Sequence, residues 1–153
     1  MNPTGKRAAP DYQALAELRY RVRRFLRFSE QAARAAGLEP QQHQLLLALK
    51  GLPDQHKHTI SALAERLQVE HHSTVELIDR LEERGLVRRA RDKVDRRQVL
   101  VRITPKGEDI LQDLSLHHLD ELQSIGPDLM RVLTRLLSRF SSGERKLRAV
   151  NDK

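Results

Sequence analysis

Residues 84–106 read RGLVRRARDKVDRRQVLVRITPK, and the fold turns on how this stretch is parsed. Two β-patterned runs, Leu86–Ala90 and Val99–Ile103, flank a polar loop, Arg91–Gln98. In the second run Val99, Val101 and Ile103 alternate with Leu100 and Arg102, the period of a strand with one buried face. The spacing predicts a β-hairpin. Its nine basic residues are Arg84, Arg88, Arg89, Arg91, Lys93, Arg96, Arg97, Arg102 and Lys106, against Asp92 and Asp95. That balance equals the +7 of the whole chain, so the remainder is neutral. A positive hairpin on a neutral body suits a polyanion.

Working outward, the period on either side is helical. Upstream, Thr59 is expected to cap a short helix whose Ile60, Leu63, Ala64 and Leu67 recur at i, i+3, i+4 and i+7. Gln68-Val69 makes a brief turn. A second helix is expected from about His71 to Arg84, with Thr74, Leu77, Ile78 and Leu81 buried and Gly85 as its stop. Two short amphipathic helices around a tight turn form a helix-turn-helix, the second being the recognition helix. Before them, one long helix runs from Asp11 to about Ala36, with flanking arginines, and another opens at Pro40. Downstream, Thr104 caps a helix with Pro105 at its first position. It is expected to run to about Gln123, break at Gly126-Pro127, and be followed by a last helix carrying Leu129, Met130, Val132, Leu133, Leu136, Leu137 and Phe140.

Composition narrows the classes of function. At 153 residues the chain is one domain, or one domain with an added dimerisation layer, since so many leucine-rich helices are a large apolar surface for a monomer. The absence of cysteine excludes disulfides, thiolate metal sites and thiol redox sensing. No apolar run reaches membrane-span length, and Met1–Pro10 lacks the hydrophobic stretch of a secretory signal, so a cytoplasmic location is expected. Aromatic residues are 3% and tryptophan is absent, which disfavours stacking on single strands and leaves duplex DNA as the better polyanion. No nucleophile elbow, phosphate-cradling glycine loop or metal tetrad is present, so the chain is not expected to be an enzyme or to need a cofactor.

The chain resembles the MarR family of winged helix-turn-helix transcriptional regulators. The resemblance rests on Leu63-Ala64-Glu65-Arg66-Leu67 in the first short helix and Leu77-Ile78-Asp79-Arg80-Leu81-Glu82-Glu83-Arg84-Gly85-Leu86-Val87 in the second. It continues through Arg91-Asp92-Lys93-Val94-Asp95-Arg96-Arg97 and Val99-Leu100-Val101-Arg102-Ile103-Thr104-Pro105-Lys106-Gly107, and spans about Tyr12 to Phe140. It implies a mainly α fold with a small β-hairpin wing, a winged helix-turn-helix plus a helical dimerisation layer. The corresponding division is a disordered segment at 1–10, dimerisation helices at 11–37 and 105–141, a DNA-binding domain at 38–104 and a flexible tail at 142–153. It also implies a homodimeric transcription factor, most often a repressor, that leaves a pseudo-palindromic operator when a small aromatic or lipophilic ligand binds.

On this reading His71, His72, Ser73, Val75 and Glu76 head the recognition helix and are the candidates for reading bases. Val75 suits a thymine methyl and Glu76 a cytosine amino group, although a surface pair with Arg80 at i+4 explains Glu76 equally well. The wing candidates are Arg89, Arg91, Lys93, Arg96 and Arg97, with the last two directed at the minor groove or its phosphates. Asp92 and Asp95 are expected to orient neighbouring arginines. The resemblance places an effector pocket where dimerisation helices meet the DNA-binding lobe, and Tyr20, Arg23, Arg24, Arg27 and His43 are its candidates. Competing readings are a winged module that docks an acidic protein or RNA, and a metal-responsive regulator. The latter is disfavoured because His71-His72 and His117-His118 are adjacent on helices and do not face each other. A site would have to draw ligands from several elements, His56 and His58 of one loop included, with no cysteine to help.

Overall fold

Among the described residues seven regular elements follow in the order α1 (Tyr12–Ala35), α2 (Pro40–Gly51), α3 (Ile60–Leu67), α4 (His71–Glu83), β1 (Val87–Arg91), β2 (Val99–Ile103) and α5 (Pro105–Asn151). The computed structural model describes residues 9–53 and 57–151, from residue 139 onward by backbone alone. The chain divides into two compact units, Phe28–Leu119 and a second made of the residues up to Arg27 with those from Asp120 onward.

The unit Phe28–Leu119 is built around one apolar core. Leu45, Leu46 and Leu49 of α2, Leu63 of α3, and Leu77, Ile78 and Leu81 of α4 meet Leu86, Val87, Val101, Leu111 and Leu114 there. Each such fully buried side chain contributes about 1.5–3 kcal/mol relative to exposure. The stripe Thr74, Leu77, Ile78 and Leu81 is buried as its spacing predicts. Thr59 caps α3 by accepting from Ala62 N at 3.2 Å. The turn between α3 and α4 is closed by Gln68, whose φ of 56° is left-handed.

The hairpin is antiparallel, with Val87 opposite Ile103, Arg88 opposite Arg102, Arg89 opposite Val101 and Arg91 opposite Val99. β1 lies one residue later than the sequence pattern suggests. A contribution that periodicity does not reveal comes from the segment before α3. Val101 N donates to His58 O at 2.8 Å, and Thr59 bridges Leu100, so the segment before α3 is pinned to the free edge of β2 by an isolated bridge.

The hairpin base is stitched to the start of α5. Thr104 Oγ1 donates to Gly85 O at 2.7 Å and accepts from Gly107 N at 3.2 Å, while Thr104 N donates to Leu86 O at 3.0 Å. A Cβ at Gly107 would lie 2.3 Å from Leu86 O, so the Thr-x-x-Gly spacing joins a cap to a residue without a side chain. Gly85 itself has φ +69° and turns the chain out of α4.

In the other unit α1 and α5 run antiparallel, with Asp11 paired to Arg135 and Arg21 to Asp128, each at 2.8 Å. The break expected at Gly126-Pro127 does not occur, because α5 is one helix with Pro127 inside it. An internal proline costs about 3 kcal/mol. Here that cost is offset within the unit by the burial of Ile125 and by the Asp128 ion pairs with Arg21 and Arg131 on the residue just after the proline. The helical backbone continues to Asn151, through residues read above as a tail.

Candidate nucleic-acid interface

α4 presents a polar start on a buried body. His71, His72 and Glu76 are exposed and Ser73 and Val75 half-exposed, so all five base-reading candidates lie on the outward N-terminal turns. Thr74, inside the same turn, is 0% exposed and donates its hydroxyl to Glu70 O at 3.1 Å. That bond anchors the first turn to its cap residue and leaves the neighbouring side chains outside. Among the described residues no ion pair joins Glu76 to Arg80, so the surface-pair explanation of Glu76 is not realised.

The wing loop is ordered from within. Asp92 N donates to Gln98 O and Gln98 N to Asp95 O, both at 3.0 Å. The Asp92 carboxylate accepts from Lys57 Nζ at 2.5 Å and from Val94 N at 3.1 Å. The Lys57 ammonium, followed by the Val94 N–H, holds this carboxyl below its ordinary value. Asp95 Oδ1 accepts from Arg97 N at 3.1 Å. This corrects the expectation for both aspartates. They shape the loop backbone, and Asp92 binds a lysine of the α2–α3 connection rather than an adjacent arginine. A short acidic side chain reaches an amide two residues on more readily than it reaches a long flexible guanidinium.

The basic residues separate into two groups. Arg84 donates to Gln42 Oε1 at 3.2 Å and Lys106 to Arg84 O at 3.0 Å, so both serve the hairpin base. Arg89 reaches back to α4, with Nη2 2.5 Å from Asp79, Nη1 2.5 Å from Glu82, and its backbone N donating to Glu82 at 2.8 Å. Burial alone would lower the Arg89 guanidinium, but its bonds to Asp79 and Glu82 outweigh that and raise it. Arg89 therefore departs from its expected place among the phosphate contacts, since both ends of its fork are occupied. Arg88, Arg91, Lys93, Arg96, Arg97 and Arg102 are exposed and make no ion pair among the described residues. Arg91, Lys93 and Arg96 share an open concavity of about 410 Å³ with Asp92.

An exposed helix start and a hairpin of exposed cations, carried on one helix-turn-helix core, are the geometry of a winged helix-turn-helix. The sequence model of the MarR family matches residues 36–98, from the end of α1 through the wing loop. The chain's helix-turn-helix and wing are similar to those of the MarR family. The Bacillus subtilis protein YsmB, an uncharacterized HTH-type transcriptional regulator, is 38% identical over 56 residues, which span 37% of this chain and 38% of YsmB's length. The transcriptional regulator BldR from Sulfolobus solfataricus is 27% identical with a TM-score of 0.58, covering 83% of this chain and 94% of its own. The transcriptional repressor CouR, solved bound to a 23-mer DNA duplex, is 26% identical with a TM-score of 0.61, covering 81% of this chain and 89% of its own.

The remaining candidates lie elsewhere. Tyr20 is 54% exposed, with the Arg24 guanidinium 6.0 Å above its ring, and Arg23 and Arg27 are exposed in the same unit. His43, in the other unit, is 4% exposed and stacks on His118 at 4.9 Å between centroids. Burial, then the neighbouring His118, lowers the His43 imidazole. Among the described residues no three of His, Asp and Glu gather as a metal ion needs, and His56 lies outside those residues. No described helix is long and apolar enough to cross a membrane.

Three basic residues of this region were not among the wing candidates. Lys57 is a lone loop lysine whose partner is 35 residues away. Arg88 and Arg102 become neighbours only once the strand register is known. Counting back from the loop Arg91–Gln98 in antiparallel register was the signal that would have paired them.

Proposed function

We propose that this chain is a MarR-family regulator that binds double-stranded DNA as a homodimer on a pseudo-palindromic operator, acting as a repressor that a small aromatic or lipophilic ligand releases. The observation that carries the DNA reading is the set of cations at Arg91, Lys93, Arg96 and Arg97, exposed and without an ion pair among the described residues, on the same unit as the exposed start of α4. His71, His72, Ser73, Val75 and Glu76 would read base edges, while the wing holds phosphates or the minor groove. Two lobes related by a two-fold axis favour half-sites about one helical turn apart.

Dimerisation is supported by apolar stripes that a single chain leaves in water. Tyr12, Leu15, Val22 and Leu26 share one face of α1, and Leu122, Met130 and Leu137 one face of α5, all exposed. Release by a ligand rests on the family resemblance and on the exposed Tyr20–Arg24 pair, an aromatic and cationic edge suited to an aromatic anion. Arg23 and Arg27, exposed in the same unit as that pair, extend its cationic edge. Selection of bound duplexes from a random pool tests the reading. Recovery of a palindromic motif that aromatic acids displace supports it; recovery of no duplex preference, or tighter binding to RNA, overturns it.

A further inference from the structure

The wing and the recognition helix are joined by one side chain that neither the base-reading nor the phosphate-holding role absorbs. Arg89 sits on the core face of β1, opposite Val101, and is partly covered, with 26% of its side chain exposed. Its two terminal nitrogens bond different carboxylates on α4, Asp79 and Glu82, three residues apart. Its own amide bonds Glu82 as well, so backbone and side chain grip the same helix. Asp79 is 52% and Glu82 39% exposed, and Asp79 shares the outward face of α4 with His72, Val75 and Glu76.

We infer that Arg89 is a positioning residue. It fixes the angle between wing and recognition helix and masks two carboxylates that α4 would otherwise turn toward phosphate. The inference rests on the DNA-binding reading for its functional consequence, but its structural half stands without it. A planar guanidinium held at both ends resists rotation in a way that a single ammonium contact does not. Losing the grip frees the hairpin to swing about Gly85 and Thr104. It also leaves two uncompensated negative charges beside the anion the interface is built to hold.

Two measurements decide it. Because the chain contains no cysteine, Val94→Cys and Glu65→Cys supply the only thiols for a pair of spin labels, one on the exposed wing tip and one on exposed α3. In the DNA-free protein the label distance should be narrowly distributed, broad after Arg89→Ala, and intermediate after Arg89→Lys. An unchanged distribution in Arg89→Ala overturns the positioning role. On a mixed-sequence duplex, Arg89→Ala should weaken binding about tenfold. Asp79→Asn with Glu82→Gln should restore the part of that loss due to bare charge in the Ala background, and should not raise the parent's affinity, because it loosens the same grip. If Arg89 instead touches phosphate, the two carboxamide changes free it, raise the parent's affinity and rescue nothing, and the masking role is overturned. Should the parent bind no duplex at all, the DNA reading fails, while the label distances still judge the grip.

Discussion

Arg88 and Arg102 stand directly opposite one another across the two strands of the wing, both exposed on its outer face. Like charges in directly opposed positions destabilise a hairpin by about 0.2–1 kcal/mol. An anion lying along that face reverses the sign of their contribution. Arg88→Gln is therefore expected to raise the melting temperature of the free protein by about 1–3 °C and to weaken duplex binding. Melting curves with and without DNA check both. A stabilised variant with undiminished DNA affinity would show that the outer face holds no phosphate.

The wing tip makes a different prediction because its charges are additive rather than opposed. Arg96 and Arg97 are exposed and unpaired among the described residues. Each phosphate neutralised contributes about 0.9 to the slope of log affinity against log salt. Removing both arginines from two subunits by Arg96→Ala with Arg97→Ala should flatten that slope by about 3–4 and weaken all duplexes alike. Titrations at several salt concentrations measure it, and an unaltered slope would remove the tip from the contacts.

Gly107 tests the joint beneath the wing. An added Cβ would meet Leu86 O at 2.3 Å and Ile103 Cγ1 at 2.9 Å. The carbonyl cannot withdraw, because it already accepts from Thr104 N at 3.0 Å. Gly107→Ala should cost on the order of 3 kcal/mol, the upper end for an overpacked contact. By contrast Gly126→Ala, whose Cβ meets nothing within 4 Å, should be neutral or stabilising. Denaturant melts of the pair decide whether close approach, rather than glycine flexibility, is what position 107 requires.

The parts of this fold that were legible in the sequence are those set by local chemistry. Thr59, Gly85 and Thr104 announce their turns because one side chain or one φ value does the work, and the buried stripe of α4 follows from spacing alone. Pro127 misled because its local penalty is real but is outweighed by packing and ion pairs that only the tertiary structure supplies. The wing candidates were chosen by charge. Charge does not distinguish Arg96, open to solvent, from Arg89, held by two carboxylates of another element. Long-range partners such as Lys57 and Asp92 carry no local signature at all, since neither residue's neighbours in sequence hint at the other.

The stacked histidines give the chain a pH dependence whose sign can be worked out. His118 Nδ1 lies 2.5 Å from Leu114 O, which can only accept, so that nitrogen carries a proton. Its Nε2, 2.6 Å from Ser29 Oγ, then accepts from the hydroxyl while His118 is neutral. Protonating His43 places an unsolvated cation against that ring, and its folded-state affinity for a proton is accordingly lowered by burial and by His118. The unfolded chain, with an ordinary imidazole near 6.5, therefore binds more protons than the folded one just below that pH. Stability from this group is complete above about pH 6.5 and is lost as pH falls below it toward the folded value. The Asp92 contribution, also a lowered value but of a carboxyl, is lost only below about pH 4. Melting temperature should thus hold steady from pH 8 to 7 and decline as pH falls below about 6.5, and His43→Gln should flatten that decline while leaving the acid limb below pH 4 in place. A decline of equal size in the variant would assign the titration to another group.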